Sequence, residues 1–169
     1  MNTMKKRWMC LFVENDIGVL ARISSLLSGK MYNIDSLTVG TTEDPTVSRM
    51  TISLTSNDKI FEQIKKQLMR SVEVIKVVDY TDTHIHMKEI LFIKVKHCTK
   101  DDIKEVFEIS EIFKTKLIDY DGKSVIMQCL QTEARNDALI ALMKKRFLNR
   151  IELVRGGSVA IEAIAIAER

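Results

Sequence analysis

Hydrophobic positions recur along this chain in two alternating periods, one that suits strands and one that suits helices. The run Arg7-Trp8-Met9-Cys10-Leu11-Phe12-Val13 is almost continuously apolar and too short for a typical helix, which predicts a buried central strand. Glu14-Asn15-Asp16-Ile17-Gly18 then offers residues that turn a chain and open a helix. Val19, Leu20, Ile23, Leu26 and Leu27 follow at spacings that share one helical face. Asn33 to Thr41 reads as a second strand, and Glu43-Asp44-Pro45, with the chain's single proline, as the turn that ends it. Met50, Ile52 and Leu54 alternate with Thr51 and Ser53, predicting a third strand with one wet face. Ile60, Phe61, Ile64 and Leu68 mark a second amphipathic helix with Ser56 or Asn57 as its cap, and Val72 to Val78 a fourth strand.

The same order then returns. Ile90 to Val95 reads as a buried strand, and Ile103, Val106, Phe107 and Phe113 as a helix. Leu117 to Tyr120 and Ser124 to Leu130 flank Asp121-Gly122, a dipeptide suited to a type I′ hairpin turn. Leu139, Leu142, Met143 and Phe147 predict another helix, and Ile151 to Val154 another strand. Beyond Gly156-Gly157, Ser158 to Ala167 is apolar enough for an added edge strand or short terminal element. The pattern is βαββαβ twice: an α+β chain of two tandem ferredoxin-like units, residues 1–81 and 84–169, joined by a short polar stretch.

Composition narrows the function classes. The 169 residues are 46% hydrophobic and 29% charged, ordinary for a globular protein, and a formal net charge of +3 gives no electrostatic footprint for nucleic acid or a membrane surface. No apolar run approaches the ~20 residues that span a bilayer, and no signal-peptide pattern opens the chain, so a cytoplasmic location is expected. Cys10 and Cys129 lie inside apolar runs and read as reduced, buried thiols.

Catalytic chemistry finds no foothold: phosphate-loop, dinucleotide, zinc-protease and nucleophile-elbow patterns are all missing, and no catalytic residue is assigned. His84, His86, His97 and Cys98 form the only metal-like grouping, at spacings that match no standard zinc arrangement, and His84 and His86 are read as two solvent-facing histidines at a domain boundary. Arg49 and Lys144-Lys145-Arg146 could meet phosphates, but such charges usually form a solvated face. What remains is Asn15 to Leu20 at a strand-to-helix turn, and Asn33 to Leu37 after that helix. Free N–H groups at a helix start suit a carboxylate, Gly18 allows close backbone approach, and the two asparagines each offer a donor and an acceptor, as a zwitterion requires. The plainer alternative is that Asn15 is a cap and Asn33 a turn residue.

Those residues carry a resemblance. Asn15-Asp16-Ile17-Gly18-Val19-Leu20-Ala21-Arg22 resembles the N-x-P-G-V-L-x-R signature of ACT domains, which are amino-acid-binding regulatory modules. Tyr32 to Gly40, Thr46 to Ile52, Glu111 to Asp119 and Leu153 to Gly157 are similar to the regulatory small subunits of acetolactate synthase (acetohydroxyacid synthase). The resemblance implies a first unit that is an ACT domain and a chain that performs no chemistry. Such a chain would bind and activate a thiamine-diphosphate-dependent large subunit and impose feedback inhibition by valine. It implies no cofactor here, with thiamine diphosphate, magnesium and FAD left to the large subunit. It further implies a homodimer through the ACT domains, with the valine site carried over onto Asn15, Gly18, Val19, Leu20, Asn33 and Ile34, and Asn33 contributed by the other protomer. The alternative is an ACT sensor of another amino acid serving a different enzyme. Two positions depart from the family pattern: Ile17 stands where it has proline, and Met31 where it has a glycine suited to end the helix.

Overall fold

The computed structural model describes residues 3–28 and 33–164. Met31, Gly29 and the helix ending expected there lie outside those residues, as do residues 165–167 of the expected terminal element. Among the described residues the chain divides into two compact units: Met87–Ser158, and the residues on either side of it.

The first unit runs β1 (Lys5–Glu14), α1 (Val19–Ser28), β2 (Ile34–Thr41), β3 (Val47–Ser56), α2 (Asp58–Leu68) and β4 (Val74–Asp79). Its four strands are antiparallel neighbours in the order β2-β3-β1-β4, which leaves β2 and β4 as edges. Met9, Leu11 and Val13 of β1 stand opposite Ile52, Met50 and Ser48 of β3. Met9, Leu11 and Val13 pack with Met50, Ile52 and Leu54 against Val19, Ile23 and Leu27 of α1 and Phe61, Ile64 and Leu68 of α2. Each such side chain contributes roughly 1.5–3 kcal/mol on full burial, so this layer is what holds the sheet and both helices together. Asn57 caps α2, its side-chain oxygen accepting from the Ile60 N–H at 2.9 Å.

The wet face expected on β3 is not wet. Thr51 and Ser53 are 5% and 2% exposed. They pair with Cys10 and Trp8 of β1, so the face that carries them is the second face of the apolar stretch of that strand. Small hydroxyl residues here fill space beside larger neighbours, and the alternation that looked like core and solvent separates two buried faces. Arg49 belongs to this face as well. Its guanidinium donates to the Tyr80 hydroxyl at 2.7 Å and to the Ala160 carbonyl at 2.6 Å, and lies 5.4 Å from the Phe12 ring centroid. It is a structural clasp, not a solvated charge.

The second unit repeats the plan with β5 (Ile85–Val95), α3 (Lys100–Phe113), β6 (Lys116–Tyr120), β7 (Val125–Gln131), α4 (Glu133–Arg146) and β8 (Ile151–Glu162), in the order β6-β7-β5-β8. Leu91, Ile93, Val95, Val125, Met127 and Cys129 meet Val106, Ile109, Leu139, Met143 and Phe147 in its core. Phe107, expected on the buried side of α3, is exposed, and Ile109 takes the inward position. The hairpin turn forms where expected, but Gly122 alone has a left-handed φ, +83°, and Asp121 does not. A type I′ turn needs both. Asp121 instead accepts the N–H groups of Lys123 and Ser124 at 2.8 and 2.6 Å.

The two C-terminal pieces expected on either side of Gly156-Gly157 are one strand of 12 residues. Gly156 is required at its place: a Cβ there would meet Ile90 Cγ2 at 2.4 Å. Arg155 beside it donates to both carboxylate oxygens of buried Glu89, at 2.8 and 2.7 Å, and to Asp137 at 2.8 Å. Asn136, fully buried on α4, also donates to Glu89, at 2.9 Å. These bonds tie β5, α4 and β8 of this unit to one another.

Candidate functional site: the start of helix α1

Helix α1 leaves β1 through Asn15-Asp16-Ile17-Gly18. Its first intrahelical bond runs from the Arg22 N–H to the Gly18 carbonyl at 3.0 Å, which makes Gly18 the cap residue. Gly18 sits at φ +88°, in the region that favours glycine, and a Cβ built on it would have no atom within 4 Å. A glycine has no side chain with which to accept the N–H groups of the first turn, and that turn carries no acidic residue. By position, the Leu20 and Ala21 N–H groups have no intrahelical acceptor, so the positive end of the dipole opens onto free space. Ile17 and Leu20, at 102% and 46% exposure, put apolar side chains beside it. Arg22 anchors the helix from its flank through an ion pair with Glu73. The hydroxyl of Ser71, the Glu73 backbone N–H and Arg22 together hold the Glu73 carboxyl down at about 2.

The expected site residues fall into three groups. Asn15, Gly18 and Leu20 surround the helix start and are exposed. Val19 and Ile34 belong to the core: Val19 is buried, and Ile34 packs half-buried against the same cluster, so at Val19 a ligand could meet only backbone. Asn33 is exposed but lies elsewhere. Glu14 stands opposite Val47 at one end of β3, whereas Ile34 stands opposite Leu54 near the other. Seven residues of strand separate those ends, roughly 23 Å at ~3.3 Å per residue, so one chain does not bring Asn15 and Asn33 together.

Asn15 is more occupied than its exposure suggests. Its Nδ2 donates to the Pro45 carbonyl at 2.9 Å, its Oδ1 accepts from the Ser48 hydroxyl at 2.8 Å, and its backbone N–H donates to the Thr46 carbonyl at 2.7 Å. Sequence reading pointed to Asn15 but not to Pro45 or Ser48, because bonds spanning 30 and 33 residues leave no local signal. The metal-like grouping does not assemble: among the described residues no three His, Cys, Asp or Glu side chains are placed to hold a metal ion. Cys10 and Cys129 are buried free thiols, as expected, and burial pushes the Cys129 thiol up. Among the described residues no helix is long and apolar enough to cross a membrane.

Comparison with known proteins adds two family matches. Residues 9–76 match the family described as the AHAS small subunit-like ACT domain, and residues 88–164 match the small subunit of acetolactate synthase. The chain is 37% identical over 158 residues to the acetolactate synthase small subunit of Aquifex aeolicus, covering 94% of this chain and 81% of that one. It is 34% identical to the acetolactate synthase isozyme 3 small subunit of Escherichia coli, covering 92% and 94% of the two chains. Among solved structures it resembles the acetolactate synthase small subunit of Thermotoga maritima, with a TM-score of 0.85, 30% identity and coverage of 96% and 99%.

Proposed function

The chain belongs to the acetolactate synthase small-subunit family, whose members are regulatory and not catalytic, and on that premise we propose that it senses a branched-chain amino acid, valine first, at the start of helix α1. Membership implies a catalytic large-subunit partner, which in our reading is activated by this chain and inhibited through it when the amino acid binds. Thiamine diphosphate and the other cofactors belong to that partner, and the complex is cytoplasmic.

One observation carries the ligand site: a helix start capped by glycine, without a carboxylate in its first turn, with apolar Ile17 and Leu20 exposed beside it. The ligand's carboxylate faces the free N–H groups, and its branched side chain lies along the apolar pair. The ammonium needs an acceptor, which Asn33 of a second copy supplies. Strand β2 is an edge, and a second copy pairing antiparallel along it sets the beginning of one β2 beside the end of the other. The end of β2 is Thr41, opposite Ser48, close to Asn15. Pairing of this kind carries Asn33 of the second copy across the ~23 Å that separates the two asparagines within one chain. A ligand held between two copies favours one dimer arrangement over others, and such coupling is typically worth about 1–3 kcal/mol.

Calorimetric titration of the full chain with valine, leucine, isoleucine and serine tests the reading. Saturable binding of valine is expected, lost in Asn33→Ala while the thermal midpoint stays unchanged, because Asn33 is exposed. Binding of none of the four, or full binding by Asn33→Ala, refutes the site.

A further inference from the structure

We propose that Ser48 and the turn between β2 and β3 are positioning elements of the site: they fix the Asn15 carboxamide so that it meets the ligand as an N–H donor to its carboxylate. This rests on the ligand reading above and assigns the chemistry of one of its residues.

The orientation of the amide follows from chemistry. Pro45 offers the Asn15 side chain only a carbonyl oxygen, which accepts and cannot donate, so the atom 2.9 Å from it must be the nitrogen. The carboxamide oxygen therefore faces Ser48, and the Ser48 hydroxyl must donate to it, at 2.8 Å. Flipping the amide would set two oxygens against each other at Pro45. Ser48 is buried, at 6% exposure, whereas Pro45 is exposed. The acceptor of Asn15 is thus turned toward buried structure and its NH2 toward the open side. One N–H remains unused, and it lies at the end of the unit where the helix start already favours negative charge.

The turn is itself braced for this purpose. Asp44 accepts from the Thr46 N–H and hydroxyl at 2.9 and 2.7 Å, and Thr42 donates to the Val47 carbonyl at 3.1 Å. Those bonds set where the Pro45 carbonyl points.

The second unit shows that the fold does not need the side-chain part of the clasp. There the Cys98 N–H donates to the Lys123 carbonyl at 2.7 Å, the counterpart of the Asn15 N–H on Thr46 at 2.7 Å. Two residues beyond the accepting carbonyl stands Ser48 in the first unit and Val125 in the second, each opposite a valine of the neighbouring strand. Val125 is buried and can donate nothing. The second turn is held by that backbone bond and by its own Asp121 carboxylate, with no hydroxyl at the position of Ser48, so the hydroxyl of Ser48 serves the orientation of Asn15 and not the hairpin.

The experiment compares wild type, Ser48→Ala and Ser48→Thr as full chains, by valine calorimetry, thermal melting and NMR of the Asn15 side-chain NH2. Ser48→Ala is expected to weaken valine by about 3- to 10-fold with an unchanged melting midpoint, and Ser48→Thr, which keeps the hydroxyl, to restore it. Valine is expected to shift the Asn15 NH2 resonances in the wild type. Wild-type affinity in Ser48→Ala, or a loss that Ser48→Thr does not restore, overturns the positioning role. Valine binding that leaves the Asn15 NH2 resonances in place overturns the donor role. A wild type that binds no valine defeats the ligand reading itself, and this inference with it.

Discussion

Helix α1 opens on Gly18 with no carboxylate in its first turn, whereas helix α3, at the equivalent place in the second unit, opens on Thr99 and carries Asp101 and Asp102 there. In α3 the Thr99 side chain accepts the Asp102 N–H at 3.2 Å and the Asp102 carboxylate accepts the Thr99 N–H at 2.7 Å. Arg150 closes over the same carboxylate with bonds of 2.9 and 3.1 Å. Hydrogen bonds from Arg150 first, then from Thr99, hold the Asp102 carboxyl well below the usual range. At α3 the Asp102 N–H and the Arg150 guanidinium, which an incoming carboxylate could use, are already engaged by the chain itself, and Asp101 would repel it. The fold supplies a positive helix end twice; what differs is whether side chains have consumed it.

The comparison can be broken most sharply at Gly18. Gly18→Asp places a carboxylate where the ligand's is expected to sit, and binding should fall by about 100-fold or more, while circular dichroism keeps the folded spectrum. Intact valine binding by this variant would show that the openness of α1 has no functional meaning. A smaller effect is expected at the other helix. Asp102→Ala removes the reciprocal cap and strands Arg150, and should lower unfolding stability by about 1–2 kcal/mol in denaturant titration with valine affinity unchanged. Weakened valine binding there would mean the two helix starts are not independent.

The smallest effect concerns the anchor of α1. The Glu73 carboxyl is depressed from 4.5 to about 2, so its stabilisation is fully present above pH 4.5 and is lost as pH falls through about 2. Glu73→Gln should remove that part of the acid dependence by lowering stability slightly at neutral pH, the pair being solvent-screened, and leaving it unchanged below about pH 2. An acid limb unchanged in Glu73→Gln would assign the loss to other carboxylates.

Periodicity carried most of the fold. Among the described residues, the order of the eight strands and four helices could be read because each element buries a stripe of its own, as Val19, Ile23 and Leu27 do on α1. It failed where a side chain's environment is set by a distant strand. Thr51 and Ser53 look solvent-facing along their own strand and are buried because Trp8 and Cys10 share their face. The continuous apolar run of β1 already implied a covered second face, and β3 had to share it. Arg49 gave no sign of its partners, since Ala160 lies 111 residues later. At the candidate site, Gly18 could be found from the turn it makes and Asn15 from its place before it. Ser48 could not, because one serine near the start of a strand is chemically unremarked until the hairpin register sets it opposite Val13.

The bond from Arg49 to Ala160 also fixes an order of events. The first unit is discontinuous, with its late residues reached only after all of Met87–Ser158 has been made. At ~5–20 residues per second, a ribosome that has just added Arg49 needs roughly 6–22 s to reach its acceptor. The half of the protein that emerges first is therefore the half completed last. Through that interval the Arg49 guanidinium has no Ala160 carbonyl to meet, and this clasp waits on translation of the second unit.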